Sequence, residues 1–214
     1  MIHTLTNGFN RFCEWVMRLA YLNLLWIGFS LAGAVIFGLA PATAAMFSVT
    51  RQWVKGETDI PVFQTFFQAF KKEWAGSSIL GFILAAIALV LYVDFQIVSI
   101  YFQGQPAVLS LFISLFIIYA IIFLYTFPIY VHYQMKRIDV LKYSFMIGFS
   151  RPLITLLMIL SAFGMVLAAL FHVTFLLFFS GSGLSLLLTK LASSAFFAID
   201  GRGNDKQTAV PRVK

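Results

Sequence analysis

No charged side chain occurs from Leu19 to Thr50. That run exceeds the roughly 20 apolar residues that cross about 30 Å of hydrocarbon. Pro41 follows Gly33 and Gly38, so the chain is expected to kink or change direction there. The pattern predicts a first transmembrane helix over 19–40. A second helical piece over 42–55 would then leave the bilayer and end at Gly56. Two further spans are predicted over 78–99 and 107–131, separated by the uncharged turn from Tyr101 to Pro106. Pro152 opens another apolar run that extends to Phe179 and resumes after Gly181-Ser182-Gly183. It divides in two ways. Helices over 153–179 and 184–199 use the glycine turn but leave Lys190 near the middle of a short span. Helices over 153–171 and 174–197 turn near His172 and let Lys190 snorkel. A lysine at the bilayer centre costs about 2.5–3.5 kcal/mol on insertion scales, which favours the second division.

Two stretches carry an amphipathic helical period instead. Ile2, Leu5, Phe9, Phe12, Val16 and Leu19 share one face. They form either an interfacial helix or an extension of the next one. After Pro61, the residues Phe63, Phe66, Phe67, Phe70 and Trp74 recur on one face, with Lys71, Lys72 and Glu73 beside its end. Such a basic, aromatic helix lies on a membrane surface or packs on its own bundle. The expected fold class is all-α. It is an integral membrane helical bundle of about five transmembrane helices plus amphipathic interfacial helices, one domain over 1–199. Residues 200–214 are expected to be a disordered cytoplasmic tail.

Composition agrees with that class. Apolar residues make up 61% of the 214 and charged residues 11%, too few to coat a soluble globule. A soluble enzyme, a disordered regulator and a secreted disulfide scaffold are excluded, the last also because Cys13 stands alone. The N-terminus lacks the apolar core and cleavage site of a signal peptide. A net charge of +7 could suit nucleic acid, but all the cations except Arg11 and Arg18 near the N-terminus fall in three clusters that give it another meaning. Arg51, Lys55, Lys71 and Lys72 form one, and Lys136, Arg137, Lys142 and Arg151 a second. Lys190, Arg202, Lys206, Arg212 and Lys214 form the third. The positive-inside rule makes all three cytoplasmic, in a multi-pass protein of the cell membrane with its partner the lipid bilayer and no nucleic acid. Five spans put the N-terminus outside. A re-entrant first segment would put it inside.

Several short stretches, in order, carry a family likeness: Asn23-Leu24-Leu25-Trp26, Pro41-Ala42-Thr43-Ala44-Ala45, Val54-Lys55-Gly56-Glu57 and Phe66-Phe67-Gln68-Ala69-Phe70-Lys71, then Phe127-Pro128 and Lys142-Tyr143-Ser144-Phe145. Over about residues 8–199 the chain resembles the YesL family, small multi-span membrane proteins of bacteria also described as a domain of unknown function. The family's usual Asn-Ala pair stands here as Tyr143-Ser144. The resemblance implies an α-helical protein of the cytoplasmic membrane. Family genes tend to lie beside carbohydrate transporters and glycan-degrading enzymes, which implies a helper in sugar uptake. The resemblance supplies no catalytic residues.

Asp94 is the one acidic residue inside an apolar span, and His172 falls at the expected turn between helices four and five. An ionisable group in a span is a functional candidate. An echo at an offset of 79 residues matches Phe66, Phe70 and Lys72 to Phe145, Phe149 and Arg151 and brings Asp94 beside His172. Two equivalent hairpins would let these form an intramembrane polar pair; otherwise they are two unrelated interfacial residues. The candidate partner surface is Phe66, Phe70, Lys71, Lys72 and Trp74. His3, His132 and His172 have no ligand spacing, so no metal or cofactor is expected. No nucleotide, hydrolase or metalloprotease motif occurs, and the chain is expected not to be an enzyme. Gly28, Ser30, Gly33, Gly38, Ala42 and Ala45 are small enough for close helix contact, within the chain or with a partner. The reading that follows is an accessory or regulatory subunit linked to carbohydrate uptake, with a transporter permease as partner. A small transporter or channel acting as a homo-oligomer is the alternative.

Overall fold

The computed structural model describes residues 2–101, 105–133 and 135–208. Eight α-helices follow in order. They are α1 (Ile2–Ala32), α2 (Leu39–Val54), α3 (Val62–Tyr101), α4 (Pro106–His132), α5 (Arg137–Ser150), α6 (Pro152–Phe171), α7 (Val173–Phe178) and α8 (Ser180–Thr208). Among the described residues there is no strand. Four helices, α1, α3, α4 and α6, are long and apolar enough to cross a membrane. The fold is an all-α bundle.

The first expected span ends early. α1 stops at Ala32 and the chain reverses over 33–38, so α2 returns antiparallel to α1 instead of departing from it. Trp26 Nε1 donates to Thr43 Oγ1 at 3.0 Å, and Arg18 donates to Thr58 O at 2.6 Å and pairs with Asp59 at 3.1 Å. Ala34 N donates to Leu31 O and Val35 N to Ser30 O, the two bonds of a Schellman motif. That motif places Ala34 at the left-handed position (φ 53°), with Val35 beside it at φ 62°. Glycine is the usual occupant there because a Cβ is strained at positive φ. Ala34→Gly is therefore expected to raise stability by about 0.5–1 kcal/mol, read as a higher unfolding temperature in detergent.

α2 is the centre of the bundle. Ala42, Ala44, Ala45 and Val49 are fully buried, and α2 packs against α1, α3, α4 and α8. Its alanines let neighbours approach closely. Ser30, Gly33, Gly38, Ala42 and Ala45 thus serve contacts within the chain, whereas Gly28 has open space around it.

Both amphipathic stretches are continuous with membrane-type helices. Residues 2–32 are one helix, and 62–101 are another of 40 residues. Gly76 and Gly81 do not interrupt α3, because a glycine costs a helix only about 1 kcal/mol. α4 runs antiparallel to α3: Tyr130 meets Glu73, Tyr119 OH donates to Leu84 O, and Phe95 packs on Phe112. Towards their shared turn both helices expose Leu89, Val90, Ile97, Leu111 and Phe116, the apolar surface that hydrocarbon demands.

The last expected span is divided. The chain turns at His172, as one of the two divisions expects, but it breaks again at Phe179 and not at Gly181–Gly183. α8 is not among the four apolar helices. Its inner face carries Ser182, Ser185 and Thr189, buried against the bundle, and Thr189 meets Thr50 of α2 at 3.1 Å. Lys190 points outwards. α8 continues through Thr208, within the stretch expected to be a disordered tail; 209–214 lie outside the described residues.

Candidate functional site

The polar face of α2 and that of the first turns of α3 converge. Ser48, Arg51, Gln52 and Lys55 recur at spacings of three and four on α2, and Thr65, Gln68 and Lys72 recur likewise on α3. With Tyr130 of α4 they line a polar pocket of about 400 Å³. Glu57 and Glu73 also border it. Gly56, at φ 97°, supplies the left-handed turn that starts the return from α2 to α3.

Arg51 is the fixed member. Its Nη1 donates to Val131 O at 3.0 Å and its Nη2 to His132 O at 3.4 Å. These carbonyls belong to the last turn of α4, which lacks intrahelical donors and carries partial negative charge. The Nε is buried without a hydrogen-bond partner. Tyr130 OH donates to Glu73 Oε2 at 2.5 Å. Gly76 makes that approach possible, since a Cβ there would meet the tyrosine oxygen. Arg51→Met is expected to cost about 2 kcal/mol by uncapping α4, with Arg51→Lys recovering part of it. Unfolding of the variants in micelles checks this; equal stability of Arg51→Met and the parent chain would refute the capping role.

A second cavity, about 550 Å³, lies among α1, α2, α3, α4, α6 and α8. Its walls are mostly apolar, including Trp26, Leu84, Phe123, Met165, Leu184 and Leu188. The lining changes character at one level on α2 and α4: Phe47 and Phe127 face the apolar cavity, while Ser48 and Tyr130 face the polar pocket. The Phe47 and Phe127 rings are stacked there, 6.0 Å between centroids.

Asn23, fully buried, ties α1 to the end of the bundle. Its Oδ1 accepts from the backbone N–H of Gly181 and of Ser182, both at 3.0 Å, and its Nδ2 donates to Leu177 O at 2.6 Å.

The residues singled out from sequence separate into groups. Phe66 and Phe70 are not a partner surface. Both are buried, and Phe29 of α1 packs on them at 5.3 and 4.9 Å. The apolar face of this helix is covered by α1 because α1 and α3 flank the same side of α2. Lys71, Lys72 and Trp74 are exposed; Lys71 Nζ sits 4.4 Å from the Phe67 ring centroid, and Lys72 lines the polar pocket. Asp94 is half-buried in α3 and His172 exposed at the α6–α7 joint. Among the described residues neither side chain makes a hydrogen bond or ion pair, with the other or with any neighbour. The echo between hairpins is not matched in burial, since Phe145 and Phe149 are exposed where Phe66 and Phe70 are not. Sequence reasoning passed over Arg51, Lys55, Thr65, Gln68 and Tyr130 as a set. The signal was present in the polar spacing of α2 and α3, opposite the more conspicuous phenylalanines.

Uncharacterized protein YesL of Bacillus subtilis (strain 168) is 55% identical to the chain over 209 residues, covering 98% of this chain and 99% of that protein. The chain belongs to the YesL family. Residues 19–95 match the family described as "Protein of unknown function, DUF624". That stretch includes Asn23, all of α2 and the α3 wall of the polar pocket. Two more YesL relatives from Bacillus subtilis (strain 168) extend along most of the chain. Uncharacterized protein YesV is 35% identical over 203 residues, 92% of this chain and 93% of that protein. Uncharacterized protein YteU is 33% identical over 198 residues, 92% of this chain and 89% of that protein. No solved structure matches this YesL-family chain.

Proposed function

We propose that the protein is an accessory or regulatory subunit of the cell membrane, linked to carbohydrate uptake through contact with a transporter permease. It is not itself the conduit and catalyses no reaction. The observation that carries this reading is the change of lining at Phe47 and Phe127. A sugar pathway needs converging hydrogen-bonding groups along its length. Here polar lining ends at the level of Ser48 and Tyr130, and the cavity beyond is apolar. The same orientation argument as before puts the basic end in the cytoplasm.

The contact surface we favour is the outer face of α5. Ile138, Phe145, Met146 and Phe149 are exposed there, Phe149 to 76%, with Lys142 among them. Exposed aromatic side chains rimmed by cations suit either a partner or the interfacial zone of a bilayer. Purification from native membranes in mild detergent, with mass spectrometry of bound proteins, separates the two. A stoichiometric permease lost on Phe145→Ser/Phe149→Ser supports the accessory reading. A homo-oligomer with no other protein overturns it and favours a small transporter.

A further inference from the structure

We infer that the pocket between α2 and α3 at the basic end binds a phosphate group carried on a small polyol. Three cations, Arg51 of α2, Lys55 at its C-cap and Lys72 of α3, border one cavity. The side chains of Lys55 and Lys72 make no ion pair or hydrogen bond among the described residues. Arg51 is held in place by the two α4 carbonyls and keeps a buried, unpartnered Nε–H. Of the two carboxylates at the rim, Glu73 is engaged by Tyr130, and Glu57 lies on the exposed loop. Cations arriving from separate helices match an anion with oxygens on several sides, a phosphate, better than the flat face of a carboxylate. The volume of about 400 Å³ exceeds what a bare phosphate fills. Beside Ala69, Tyr130 and Val131, the wall carries the amides of Gln52 and Gln68 and the hydroxyls of Ser48 and Thr65, donors and acceptors suited to hydroxyl groups.

Two sources offer this chemistry. One is the headgroup of phosphatidylglycerol, reached where the pocket meets the membrane surface. The other is a soluble polyol phosphate. The site goes beyond the accessory reading and can stand if that reading fails, because its test involves no protein partner.

The full chain is placed in neutral phosphatidylcholine nanodiscs and its unfolding temperature followed with glycerol 3-phosphate, inorganic phosphate and glycerol. Glycerol 3-phosphate is expected to raise it by several degrees, inorganic phosphate by less and glycerol not at all. Lys55→Gln/Lys72→Gln is expected to weaken binding of glycerol 3-phosphate by about tenfold or more, as loss of two charge-assisted contacts implies. Lys136→Gln/Lys142→Gln on α5 should leave it unchanged. Should the double variant not fold, Lys72→Gln alone must weaken binding in the same direction. Phosphatidylglycerol nanodiscs then distinguish the sources. Displacement of glycerol 3-phosphate by that lipid identifies the headgroup, and unchanged binding identifies the soluble ligand. The inference is overturned if glycerol 3-phosphate gives no shift and no phosphatidylglycerol is retained. It is also overturned if glycerol shifts the protein equally, or if the lysine variants bind as the parent does.

Discussion

Asn23→Ala is expected to lower stability by about 3 kcal/mol, since the carboxamide of this fully buried side chain makes hydrogen bonds to Gly181, Ser182 and Leu177, each contributing on the order of 1 kcal/mol. The first N–H groups of α8 have no partner within their own helix. Asn23 Oδ1 supplies one from α1, accepting from Gly181 and Ser182, while its Nδ2 satisfies the Leu177 carbonyl of α7. It therefore holds both sides of the break at Phe179. Gly181 permits the approach, because a Cβ there would stand 2.8 Å from Asn23 Oδ1. Asn23→Leu distinguishes hydrogen bonding from volume. Both variants should be destabilised in detergent unfolding, with hydrogen exchange accelerating first around 180–185. If Asn23→Leu matches the parent, the asparagine acts by filling space and the capping account is wrong.

Gly38→Ala is the second large effect, expected to cost about 3 kcal/mol. An added Cβ would lie 2.5 Å from Ser30 O, 2.8 Å from Phe29 O and 2.9 Å from Gly33 Cα, all backbone atoms. A flexible side chain could turn aside; the crossing of two chain segments cannot. Gly33→Ala meets the same wall, 2.3 Å from Gly38 Cα. Gly28→Ala is the internal control. Nothing lies within 4 Å of its Cβ position, so it should raise stability by about 1 kcal/mol as an ordinary helix substitution. Equal tolerance of Gly28→Ala and Gly38→Ala in unfolding experiments would mean that α1 and α2 do not cross as closely as described.

Much of this architecture was legible in the sequence because hydrophobic length and period report on solvent. The runs that became α3, α4 and α6 are apolar for that reason. The change of direction expected at Pro41 comes earlier, over 33–38, where it depends on the Schellman bonds of Ala34 and Val35; Pro41 itself sits in the first turn of α2, where a proline is tolerated. What escaped was any feature set by distant pairing. Periodicity gave Phe66 and Phe70 a common face but could not say that Phe29 covers it. Asn23 was visible as a polar intrusion, yet its partners lie 154 to 159 residues away. α8 was read as part of a membrane span because Leu184, Leu186, Leu187 and Leu188 outweigh the serines between them. Its polar side faces protein, and hydropathy averages over faces.

The length of α3 bears on how the two ends of the protein communicate. At about 1.5 Å per residue, its 40 residues form a rod of about 60 Å, near twice the hydrocarbon thickness. Its first turns carry Thr65, Gln68 and Lys72 at the polar pocket, and its last turns carry Asp94 near the opposite end. A rigid lever of that length converts a tilt of about 5° at one end into a sweep of about 5 Å at the other. Side-chain rearrangement around Lys72 would thus be felt at the last turns of α3, with no intervening joint to absorb it.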